Sequence, residues 1–302
     1  MTVRSGLRRA GSLGLAAALL AGCLDAPVPS SSPTAGPTPE PTPVTTTYDL
    51  GQTVWYEGLV IHVDSAVATL DERGGPVSVR IRMENPGEDD TDLTARILLE
   101  LDADTSVAPI APNRDSKVPT VPAHGSAGTV LTYDLQGIAS VETAAVLIGE
   151  APLHVARIPF TAAGGEARVF EPVELTLSGA ATSGDLRLAL RSGLLRWDLP
   201  DWSEELPSSV QALTLTYDAT YLGNFAGGYA FTADNVRLRL PDGTRVAPRR
   251  DGHSQSIELI GAGKSKKGLF SRFDIPAGLT GKFALLVVTD AGAKAITFVL
   301  KG

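Results

Sequence analysis

VRLRLPDGTRVAP, residues 236–248, alternates apolar Val236, Leu238 and Leu240 with Arg237 and Arg239, then breaks at Pro241-Asp242-Gly243. A period of two is the pattern of a strand with one face in a core and the other in water, and Pro-Asp-Gly is a turn signal. The stretch has a counterpart upstream. ILLELDADTSVAP, residues 97–109, aligns with it without a gap and shares Leu101/Leu240, Thr105/Thr244, Val107/Val246, Ala108/Ala247 and Pro109/Pro248.

Working outward, GTVLTYDL from Gly128 pairs with GLFSRFDI from Gly268, matching Tyr133-Asp134-Leu135 to Phe273-Asp274-Ile275. Ile81-x-Met83-Glu84 pairs with Leu215-x-Tyr217-Asp218. Three blocks in one order predict a duplicated module. Alternation continues through Val77, Val79, Ile81 and Met83, with Arg80 and Arg82 on the other face, and through Leu213, Leu215 and Tyr217. Turn signals at Glu57-Gly58, Gly74-Gly75 and Asn85-Pro86-Gly87 separate the runs. The fold class expected is all-β, with two tandem immunoglobulin-like antiparallel sandwiches of about seven strands each. They are placed at residues 48–160 and 169–302, divided by the small-residue stretch Thr161 to Glu166.

The N-terminus reads as an export signal over residues 1–22: basic Arg4, Arg8 and Arg9, an apolar run from Leu13 to Leu20, then small residues. That run is far short of the roughly 20 residues needed to cross a bilayer. Leu20-Ala21-Gly22-Cys23 resembles the lipobox of bacterial lipoproteins, in which the small residues admit a peptidase and the thiol receives lipid. The resemblance implies that Cys23 is a multiply acylated anchor at the extracytoplasmic face of a membrane. Residues 23–47 follow as a linker with prolines at 27, 29, 33, 37, 39, 41 and 43. Such a tract favours extended polyproline II and reaches up to about 60 Å over some 20 residues. Cys23 is the only cysteine, so no internal disulfide is available and core packing must hold the fold.

The whole chain carries a net charge of −8. Losing Arg4, Arg8 and Arg9 takes 26 basic residues to 23 against 34 acidic ones, a net −11 for residues 23–302. A surface this acidic argues against nucleic acid as a partner.

Motifs for chemistry fail on their context. IGAGKSKKG, residues 260–268, has Glu258 where a P-loop needs its first glycine, and a strand follows where a helix is required. Its Lys264, Lys266 and Lys267 read as a solvated loop or an edge-strand guard. His62, His124, His154 and His253 show no zinc spacing, and GHSQS at 252–256 is not a nucleophile elbow. The acidic turn with Glu88, Asp89, Asp90 and Asp92, and the nearby Asp102 and Asp104, supply oxygen atoms but are expected at opposite ends of a sandwich, so no metal site is assigned. No cofactor is expected.

Aromatic loops of the second copy are the remaining candidates for ligand contact. Trp197 and Trp202 flank the loop that corresponds to LDERGGP in the first copy, and Tyr221, Phe225 and Tyr229 stand where the first copy has its acidic turn. Aromatic faces beside Asp201, Glu204 and Glu205 suit sugars or protein partners.

With LGQTVWYEGLVIHVDSA opening it, VRIRMENPGEDDTDL in mid-domain and a glycine-preceded LTYDL strand, the first copy resembles the telokin-like immunoglobulin domain of secreted bacterial lipoproteins. That resemblance implies a surface binding or structural role and carries over no catalytic residue. The expectation is a non-catalytic lipoprotein whose partners are the membrane, through Cys23, and a cell-wall glycan or surface protein. The alternative is an accessory lipoprotein presenting a sugar or peptide to a transporter or cell-wall enzyme.

Overall fold

The computed structural model describes residues 42–102, 105–109, 118–250 and 257–301. The signal and lipobox residues Leu20, Ala21, Gly22 and Cys23 lie outside them, as do Asp104, His253 and Ser254. The fold is all-β.

The first module contains β1 (Val44–Tyr56), β2 (Leu59–Leu70), β3 (Gly74–Glu84), β4 (Ile97–Asp102), β5 (Thr105–Val107), β6 (Ser126–Gln136), β7 (Ala145–Ile148) and β8 (Ala156–Pro159). One sheet has the order β1-β2-β3-β6 and the other β5-β4-β7-β8, with every pairing antiparallel. The second module contains β9 (Val173–Ser183), β10 (Leu186–Arg196), β11 (Asp198–Leu199), β12 (Glu204–Glu205), β13 (Val210–Tyr221), β14 (Tyr229–Phe231), β15 (Val236–Arg239), β16 (Arg245–Val246), β17 (Glu258–Ile260), β18 (Ser265–Pro276), β19 (Gly281–Thr289) and β20 (Gly292–Leu300). Its sheets run β9-β10-β13-β18 and β16-β15-β19-β20. The two orders are identical once β11–β12 and β14–β17 are set aside as inserted ribbons. In both modules a hairpin strand pairs across to the strand that follows the crossover, the connectivity of immunoglobulin-type sandwiches.

Each module has its own core. Val77, Val79, Ile81 and Met83 of β3 are buried while Arg80 and Arg82 are exposed, as the alternation requires. In the second module Leu213, Leu215 and Tyr217 of β13 face Val236, Leu238, Phe273 and Phe283 in one cluster. β2 and β10 each carry a bulge at the sixth residue, Asp64 and Arg191, a further mark of common construction.

The structure corrects two boundaries and the strand count. β1 starts at Val44, so residues 44–47 are strand rather than linker. Each module has eight principal strands where the sequence pattern predicts about seven. Val169 and Phe170 pack against the first core, so the second module begins at β9. One repeat block also shifts. Val77 faces Tyr133 across β3–β6 and Leu213 faces Phe273 across β13–β18, and the bulges lie opposite Ile81 and Tyr217. Ile81 therefore corresponds to Tyr217, two residues from the sequence alignment. A period-two pattern cannot detect that slip, because it leaves every side chain on the same face.

Candidate functional site

The β1–β2 connection is a two-residue turn, Glu57-Gly58, with φ of 50° and 81°. Positive φ at both positions is what a type I′ hairpin demands. The turn points into the second module: a Cβ on Gly58 would lie 2.8 Å from Pro200 Cα. Its amides are caught by the inserted ribbon. Gly58 N donates to Asp198 Oδ2 at 2.8 Å and Glu57 N to Glu205 Oε2 at 3.3 Å.

Around these bonds lies a buried polar cluster. Arg196 holds Asp198 through Nε at 2.7 Å and Nη2 at 3.0 Å. His154 Nδ1 is 3.1 Å from Glu205 Oε1, the two side chains being 4% and 0% exposed. The Glu57 carboxylate turns back into its own module and accepts from Thr94 N and Thr94 Oγ1, both at 2.7 Å. Tyr56 Oη donates to the His154 carbonyl at 2.8 Å. Burial, reinforced by the charges of Asp198 and Glu57, pushes the Glu205 carboxyl up to about 9, against the opposing pull of the Glu57 amide and Arg196. Burial likewise lowers the His154 imidazole, with the Leu206 main chain and Asp198 pulling the other way. Both shifts favour the neutral forms, so at neutral pH the pair is a neutral acid facing a neutral imidazole, an arrangement in which a proton on Oε1 meets Nδ1.

Main chain and rings complete the joint. Leu153 bridges to Pro207, and Ser208 N donates to Pro152 O at 2.9 Å. Phe170 lies between His154, with centroids 4.9 Å apart, and Trp197, at 5.9 Å. The connecting segment is pinned to the first module by paired bonds between Arg157 and Arg168.

Beside the joint a groove of about 310 Å³ lies on the outer face of β10, β13 and β18. Strand register sets its floor in three cross-strand rows: Arg196-Ala212, Leu194-Thr214-Arg272 and Thr216-Phe270. The Pro200–Trp202 turn walls one end. Arg272 Nη2 donates to Asp201 Oδ2 at 2.8 Å, and its guanidinium lies 5.3 Å from the Trp202 ring centroid.

The aromatic candidates divide. Trp202 backs Arg272 at the groove and packs on the small cluster of Leu199, Leu206 and Ala212. Trp197 belongs to the joint. Tyr221 is buried in the second core and packs, tilted, at 5.6 Å against Tyr229, which Asn235 holds by its phenol. Phe225, 67% exposed, projects from the same end. β13 separates this end from the groove wall, and its 12 residues span roughly 36 Å, so the two loops form no common patch.

The acidic turn is used locally. Asp90 accepts from Ala123 N, Asp92 from Thr120 Oγ1, and Glu88 lies 3.1 Å from His124. Asp102 sits at the far end of β4 from it. Among the described residues no three His, Cys, Asp or Glu side chains gather as a metal site would need. Sequence reasoning missed the joint. Glu205 and His154 are 51 residues apart, and Glu57 and Glu205 are 148 apart, so no local spacing announces them.

No family model matches the chain, and no curated protein matches it. Among solved structures, the chain is similar to the crystal structure of the conserved domain protein from Bacillus anthracis. The identity is 10%, covering 84% of this chain and 92% of that one, with a TM-score of 0.29.

Proposed function

We propose that this is a lipid-anchored, extracytoplasmic protein that displays two firmly joined β-sandwich modules on a proline-rich stalk and works by binding. The buried joint is the observation that carries the reading. A hairpin tip whose amide is caught by the Arg196-held Asp198, and an acid–imidazole pair shared between modules, favour one body with a continuous outer face, suited to recognition at a distance from a membrane. The His154–Glu205 pair has general acid–base chemistry in principle, but it is sealed from solvent and committed to holding the modules together. Anchoring follows from Cys23 and its flanking residues, in keeping with the lipoprotein resemblance.

The test is cell fractionation of the full chain against a Cys23→Ser variant, with turnover assayed on wall-derived glycans. The wild type should sediment with membranes and the variant should not. Retention of the variant in the membrane fraction would remove the anchor, and enzyme-like turnover would remove the non-catalytic assignment. A second reading, presentation of a sugar or peptide to a transporter or wall enzyme, is favoured by the groove beside the joint.

A further inference from the structure

Four features of the described surface invite a ligand. Hollows of about 390 Å³ along β3–β6 and about 550 Å³ beside Asn85 and His124 lack any Phe, Tyr or Trp in their walls. The far end of the second module exposes Leu222, Phe225 and Leu259, but nothing in the structure shows what would cover them. The groove over β10, β13 and β18 carries the argument further, because its chemistry selects a class of ligand.

We propose that this groove binds a neutral saccharide of one or two rings, an inference that rests on the binding reading above. The first ground is charge. Arg196 is paired with Asp198 and Arg272 with Asp201, so an ionic ligand would have to break a formed pair to gain one of its own. A neutral polyol has no such cost.

The second ground is hydrogen-bonding capacity. A carboxylate has about four lone-pair sites, and Asp201 gives up only some of them to Arg272. The Asp201 side chain remains 40% exposed. Thr214 and Thr216, neighbours on one face of β13, add two hydroxyls that both donate and accept. Donors and acceptors packed at this density match the vicinal hydroxyls of a sugar.

The third ground is the apolar complement. Leu194 and Phe270 lie in adjacent rows on either side of β13, both half-buried, and offer the C–H face of a pyranose a surface between the polar groups. The volume lies at the low end of the range of about 300–1,000 Å³ for small-molecule sites. The groups also stand on strands, and Arg272 is clamped between Asp201 and Trp202, so little ordering is left for binding to require.

The experiment is an NMR titration of the isotope-labelled full chain with cellobiose, chitobiose and maltose, and separately with sodium phosphate and sodium acetate. At least one disaccharide should shift the amides of Thr214, Thr216 and Phe270 saturably, while the anions leave them in place. A Thr214→Val/Thr216→Val variant, isosteric on an outer face, should weaken binding by roughly thirtyfold, the factor for two lost hydrogen bonds. Phe270→Leu, which keeps bulk but removes the ring, should also weaken it and serves if the double variant folds poorly. The inference is overturned if no disaccharide moves these amides, if phosphate or acetate moves them more strongly, or if the variants bind as the wild type does. Sugar shifts confined to the Phe225 end would refute the groove and leave the binding reading standing. Hydrolysis of the probe at enzyme-like rates would instead refute that reading.

Discussion

Glu205→Gln should stabilise the protein at alkaline pH and remove much of its pH dependence. The native state holds the Glu205 carboxyl protonated up to about 9, whereas an unfolded glutamate ionises near 4.3. Between those values the native state binds one more proton than the unfolded state, so stability falls as pH rises, by up to roughly 1.4 kcal/mol per unit. His154 contributes the opposite sign over a different window. Its native value is lowered, so the unfolded state takes up the extra proton and stability rises with pH, but only until about 6.5. Above that point Glu205 acts alone, and pH 6.5 to 8.5 should cost the wild type at most about 3 kcal/mol.

Glutamine is nearly isosteric and cannot ionise. Its amide oxygen keeps the bond from the Glu57 N–H, and its NH₂ replaces the proton directed at His154 Nδ1. The variant should therefore exceed the wild type already near pH 6, and the gap should widen by pH 8.5 by a further margin worth up to roughly 6–12 °C in Tm. The assay is thermal and urea unfolding of both proteins across this range, followed by tryptophan fluorescence, to which Trp197 at the joint contributes. If His154 and Glu205 were instead an ion pair, the wild type would still lose stability above pH 6.5, because the pair holds one proton either way, but Gln would destabilise the protein at neutral pH instead of stabilising it. That sign of the Gln effect would refute the neutral assignment.

Gly58→Ala should destabilise by about 1–3 kcal/mol, since φ is +81° and the new Cβ would lie 2.8 Å from Pro200 Cα; the urea midpoint reports it. Trp202→Ala removes the ring beneath Arg272 and part of the small cluster with Leu199 and Leu206, and should cost about 2–3 kcal/mol by the same measure. Phe225→Ser, at an exposed position, should leave stability within about 0.5 kcal/mol. Adding calcium should leave Tm unchanged, because Asp90, Asp92 and Glu88 each serve a separate local partner; a rise of several degrees would refute this.

What the sequence made legible follows from the range of the interactions involved. Alternation in 236–248 and 97–109 is local, and a strand exposes it directly, so the all-β class and the repetition could both be read. Register could not, because a slip of two leaves each face unchanged, and it takes the cross-strand pairings of Val77 and Leu213 with the bulges at Asp64 and Arg191 to fix Ile81 against Tyr217. The RWDLPDW segment shows the same division within seven residues. Its aromatic content marked it as special, and the structure does place it between the modules. Yet Trp197 is there to meet Phe170, and the decisive residues are Arg196 and Asp198, which look like ordinary surface charges until Gly58 arrives from 140 residues away. A buried polar joint is made of residues whose types predict exposure, so composition points away from it. What identifies it is how its charged groups are accommodated: three carboxylates and a guanidinium, taken singly unfavourable to bury, become tolerable because one carboxyl keeps its proton and the others are hydrogen-bonded. The same logic extends outward to the groove, where Arg196 and Asp198 reappear in the lining and carry the fixed geometry of the joint into a surface that a ligand can reach.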